Sequence, residues 1–155
     1  MSDGRKIFYA PFTQEAIGAD ATNDWWSILG TSAVRVRLLG WEITSSAIAA
    51  AAVAANLQFI TAQGTGGTDP GLEQNADDSK TTASLVTMRF NDITTQGTGG
   101  GILHGYEWEQ LGPLGHIYTP EMAPISAAGN GFALTAVSAV AFTMSGFVCW
   151  EEIYV

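Results

Sequence analysis

His104 and His116 are the only imidazoles in the chain, and Cys149 is its only thiol. Metal centres, general bases and activated nucleophiles draw first on these residue types. Twelve residues separate the histidines, and neither sits in a His-x-His pattern that would put two rings on one side of a strand. They read as turn or surface residues, with Glu107 a possible carboxylate neighbour of His104. Cys149 lies in an apolar run, which points to a buried, inert thiol. Ser32 and Ser145 each have one neighbouring glycine, but neither completes Gly-x-Ser-x-Gly. Glu151 and Glu152 are adjacent, and neighbours on a strand point to opposite faces, so they do not form a catalytic carboxylate pair. Asp69, Glu73, Asp77, Asp78 and Asp92 offer oxygen ligands for calcium, yet lack the alternating spacing of an EF-hand loop and read as solvated acids. No catalytic, metal or cofactor residue is assigned, and the expectation is a protein that is not an enzyme.

Two glycine-rich stretches repeat almost verbatim: Ile60-Thr-Ala-Gln-Gly-Thr-Gly-Gly67 and Ile93-Thr-Thr-Gln-Gly-Thr-Gly-Gly100. A dinucleotide loop would need glycine where Asp69 and Ile102 stand, and no Lys-Ser/Thr follows for a phosphate loop. One pair of copies is too few for a solenoid. The plain reading is two strand ends feeding similar loops; the sharper one is two matched loops forming one contact surface.

Five tryptophans remain. Trp25 and Trp26 are adjacent, so a regular strand sends one ring to each face, and Trp26 becomes a candidate for the outside. Trp41, Trp108 and Trp150 fit core or inter-sheet positions. An exposed tryptophan serves as an interface anchor or a sugar-stacking platform.

The elements that position these residues are strands. Val34, Val36 and Leu38 share one parity with Arg35 and Arg37 on the other; the apolar set then shifts to Leu39, Trp41 and Ile43. Period two denotes a half-buried strand, and the one-residue slip beside Gly40 denotes a β-bulge. Similar runs cover 12–17, 25–29, 57–61, 86–91, 103–111, 132–140 and 142–155. Ser45 to Asn56 is alanine-rich without a polar face, and a short buried helix and an extended crossing are both open there. Residues 63–82 form a long loop. Pro120 and Pro124 exclude a central strand or helix around them. About eight strands with glycine-rich turns make an all-β, antiparallel β-sandwich, and the long connections favour a jelly roll. Residues 1–10 read as an N-terminal arm and 11–155 as the sandwich domain.

The chain has 155 residues, 46 % apolar and only 14 % charged, with 15 acidic and 6 basic side chains and a net charge of −9. That balance disfavours nucleic acid and anionic membranes as partners. A lone cysteine excludes an intrachain disulfide and suits a reducing compartment. The first residues carry no signal-peptide apolar run, and Ala47 to Ala55 is too short to span a bilayer.

Thr119-Pro-Glu-Met-Ala-Pro124, Phe132-Ala-Leu134 and Thr143-Met-Ser-Gly-Phe-Val-Cys-Trp-Glu-Glu-Ile153, with Arg35 to Ser45, resemble a group of small jelly-roll auxiliary virion proteins of tailed bacteriophages. The likeness spans about residues 7–153, and Ala47 to Ala55 departs from it where comparable chains carry charge. The resemblance implies a capsid decoration, or cement, protein. Such a protein is made in the host cytoplasm, binds the major capsid protein on the outer head surface as a trimer, and stabilises the head. Interface candidates are Ile7, Phe8, Tyr9, Trp26, Ile48 and Val53. The alternative is a glycan- or receptor-binding jelly-roll module of a phage tail or bacterial surface, with Trp26 and Trp108 as the platform.

Overall fold

The computed structural model describes residues 6–20, 22–46, 52–69, 74–75, 83–92 and 94–155. They form ten strands and no helix: β1 (Lys6–Ile17), β2 (Thr22–Gly30), β3 (Val34–Ser45), β4 (Ala52–Ala62), β5 (Gln74–Asn75), β6 (Val86–Asp92), β7 (Thr98–Glu109), β8 (Leu114–Ile117), β9 (Gly131–Val137) and β10 (Phe142–Tyr154). Two five-stranded antiparallel sheets, ordered β5-β1-β10-β3-β8 and β6-β2-β9-β4-β7, face each other as a β-sandwich. β5 and β8 are the strands that periodicity missed, because two and four residues are too short to display a period.

In β3 the slip in the pattern is a bulge. Gly40 pairs with Cys149 and Leu38 with Trp150, so Leu39 is the extra residue, and the buried set changes parity there. Val34, Val36 and Leu38 before the bulge, and Trp41 and Ile43 after it, all enter the core. Each such side chain contributes roughly 1.5–3 kcal/mol on burial. A strand without the bulge would turn one of the two sets to water.

A second bulge corrects the reading of the tryptophan pair. In β2, Asp24 pairs with Thr135 and Trp26 with Leu134, leaving Trp25 as the extra residue. Both rings therefore reach the opposite sheet. Trp25 packs edge-on against Phe142 of β10, and Trp26 tilts against Trp41 of β3. All five tryptophans are buried.

Residues 6–10, read as the end of an arm, are strand instead: Lys6 to Ala10 pair continuously with Glu152 to Val148. Residues 1–5 of that arm, and Ala47 to Ala51, lie outside the described residues. From Ala52 the alanine-rich segment is extended and forms the start of β4, paired with Glu109 and its neighbours. β10 runs unbroken through Ser145 and Gly146. Glycine is required at the latter, because a Cβ would stand 1.9 Å from the Glu42 carbonyl oxygen.

Candidate docking face

The first sheet turns alternate residues away from the core: Ile7, Tyr9 and Pro11 on β1, and Phe147, Cys149 and Glu151 on β10. Solvated faces of antiparallel sheets ordinarily carry polar residues. Here the central ones are apolar. Register stacks them in rungs across β1, β10 and β3: Ile7–Glu151–Arg37, Tyr9–Cys149–Gly40 and Pro11–Phe147–Glu42. Tyr9 and Phe147 stack with ring centroids 5.0 Å apart. Gly40 lets β8 lean in, since a Cβ there would meet Ile117 Cδ1 at 2.6 Å. The outcome is an open groove of about 320 Å3 whose walls include Ile7, Tyr9, Leu39, Ile117, Phe147 and Cys149. Ile117 is 69 % exposed, so much of this apolar area faces water.

The floor is uncharged. Burial pushes the Cys149 thiol up to about 11. Burial, then the nearby Cys149 and Glu42, also raise the Tyr9 phenol above its ordinary value. Both stay protonated near neutral pH. At the groove's end Glu151 accepts a hydrogen bond from Arg37 Nη1 at 2.5 Å, which neutralises the one carboxylate in the lining. Such a surface can exclude water from a partner's apolar side chains.

Beside the groove, the edges of the two sheets meet in an aromatic cluster. Tyr106 of β7 packs edge-on against Trp41, centroids 5.3 Å apart, and burial raises the phenols of both Tyr106 and Tyr118. Ile117 and Tyr118 line both the groove and a second depression at this junction.

Of the residues named from sequence, Ile7 and Tyr9 belong to this face. Phe8 does not: it points the other way, is buried, and stacks on Trp150. Trp26 and Val53 are core residues and offer nothing to a partner. Trp108 is buried too, edge-on against Trp25, with its Nε1 donating to the Gly112 carbonyl at 2.8 Å. The proposed glycan platform therefore does not exist. Ile48 lies outside the described residues. Leu39, Ile117 and Phe147 were missed; the parity break at the bulge was the available signal for Leu39, and nothing local marked the other two.

Glu73, Asp77 and Asp78, offered as calcium ligands, lie outside the described residues, while the adjacent pair Glu151 and Glu152 is engaged within the fold. Glu151 faces Arg37, while Glu152 accepts from Ser84 Oγ (2.7 Å) and Leu85 N (2.8 Å), so the adjacent carboxylates are separated as expected. Among the described residues no group of three or more His, Cys, Asp or Glu is arranged to hold a metal ion. The two copies of the glycine repeat lie together, joined by an antiparallel bridge between Thr65 and Thr95 whose hydroxyls are 2.8 Å apart.

Comparison with known proteins returns no match to a family model, a curated protein or a solved structure.

Proposed function

We propose that this chain is a structural docking protein: a decoration protein that binds the major capsid protein on the outside of a tailed-phage head as a trimer and stabilises that head. The observation that carries this reading is the uncharged apolar groove on the outward face of the first sheet. It has the composition of an interface centre, and its rim holds the Arg37–Glu151 pair.

Three features support it. With β5 and β6 set aside as an insertion between β4 and β7, the other eight strands fall into sheets of order 1-10-3-8 and 2-9-4-7, successive strands changing sheet except at the β4–β7 pair. Those orders support a jelly roll, the topology the resemblance implies. β7 is a twelve-residue edge strand with Ile102 and Leu103 exposed, an edge to which another copy can add. The charge of −9 favours a site away from packaged DNA. Summed over three subunits, modest contacts then give strong attachment.

The test is co-sedimentation with DNA-filled and empty phage heads, alongside sedimentation equilibrium of the free protein. Trimers that bind heads, with at least tenfold weaker binding by Ile117→Asp at unchanged melting temperature, support the proposal. A monomer that ignores heads, or full binding by Ile117→Asp, overturns it.

A further inference from the structure

The fold brings together two imidazoles that the sequence holds twelve residues apart. His104 lies on β7, the edge of the second sheet, and His116 on β8, the edge of the first. Their ring centroids are 6.4 Å apart with planes inclined at 45°. A tyrosine braces each ring: Tyr106 against His104 at 4.5 Å, and Tyr118 against His116 at 4.3 Å. Both histidines line an open depression of about 370 Å3 that also presents Thr119 and Met122, and no cationic side chain borders it. No ring nitrogen of either histidine hydrogen-bonds to another described residue.

We infer that His104 and His116 bind one late first-row divalent ion, Zn2+, Ni2+ or Cu2+, through one nitrogen each. The ion would clamp the edge of one sheet to the edge of the other. Imidazole is the usual protein ligand for these ions. Metal–nitrogen bonds of about 2.0–2.1 Å place two rings on a tetrahedral ion with centroids roughly 5 Å apart, so the observed 6.4 Å leaves about an ångström to close. Two exposed rings reach that geometry by small side-chain rotations, without backbone movement. Water fills the remaining positions, so binding is micromolar and exchangeable, tightest for Cu2+ in the usual order of divalent affinities. Mg2+ and Ca2+, which prefer oxygen donors, do not bind there. Because an ion bound only in the folded state stabilises that state, the melting temperature rises with its concentration. This site stands independently of the docking proposal.

The experiment is calorimetric titration and thermal melting of the untagged, chelator-stripped protein with ZnCl2, NiCl2, CuCl2 and MgCl2, repeated for His104→Ala, His116→Ala and the double variant. Expected are one ion per chain and at least tenfold weaker binding in each single variant. Both histidines are exposed, so the variants keep the metal-free melting temperature. Copper-bound protein should show two nitrogen ligands by electron paramagnetic resonance. Unchanged binding by the double variant, no binding at all, or one ion per two chains would each overturn the inference.

Discussion

Asp24 and Asp92 are register partners across β2 and β6, both closed to solvent, and each accepts a backbone N–H from a different copy of the repeated glycine loop. Gly67 of the first copy donates to Asp92 at 3.1 Å; Gly97 of the second donates to Asp24 at 2.5 Å. The glutamines that open the two loops act alike on β2: Gln63 Nε2 donates to the Ser27 carbonyl and Gln96 Nε2 to that of Thr22. Arg89 Nε donates to Asp92 at 3.0 Å, and Thr135 Oγ1 donates to Asp24 at 2.5 Å. The repeat is thus a paired cover over β2, closed on two buried carboxyls.

Stability should fall with rising pH through Asp24. Burial above all, and then the charge of Asp92, hold its carboxyl above the usual carboxylate range, against the opposing bonds from Thr135 and Gly97. The folded chain therefore binds this proton more tightly than the unfolded chain. Its contribution is complete below the unfolded carboxylate pKa and is lost as pH rises through the folded one. Urea midpoints taken from about pH 4 to pH 8 should show a decline that Asp24→Asn flattens. An identical slope in the variant would remove Asp24 as its source.

Gly146→Ala should destabilise by about 3 kcal/mol or more, because the new methyl would collide with backbone rather than with a side-chain tip. Gly112→Ala, with nothing within 4 Å, should stay within about 0.5 kcal/mol of the parent. Chemical denaturation of the two variants side by side decides, and equal effects would contradict the close strand approach at Glu42.

Trp26→Ala should cost about 3–5 kcal/mol, the usual range for emptying a core aromatic site. Trp26→Phe should cost clearly less than Trp26→Ala, since a ring still fills part of the site and Nε1 has no hydrogen-bond partner among the described residues to lose. A Trp26→Ala protein of parental stability would place the ring outside the core.

Cys149 should resist alkylation in the folded protein. With its thiol raised to about 11, the thiolate is scarce at neutral pH. Iodoacetamide modification followed by mass spectrometry should be slow at pH 8, accelerate only towards about pH 11, and go to completion in denaturant. Rapid native labelling at neutral pH would show that the groove floor is not as described.

What the sequence determined by itself is whatever short-range periodicity encodes. The run from Val34 to Ile43 specifies a strand and a bulge beside Gly40, because parity is a local property read against a single core; Leu39, grouped by parity with Trp41, is instead the extra residue and faces the groove. Pro120 and Pro124 exclude regular structure at that corner for an equally local reason. Tertiary structure decided the rest. The bulge at Trp25 is hidden in the sequence, since the extra residue and the one after it are both tryptophan, and only pairing with β9 reveals that both rings turn inward. Lys6 to Ala10 is strand because β10 supplies its hydrogen bonds. The apolar groove gathers side chains from β1, β3, β8 and β10, and His104 meets His116 only where the edges of two sheets converge. Such proximity depends on which strands become neighbours, a choice made by packing of the whole core and written in no single stretch of chain.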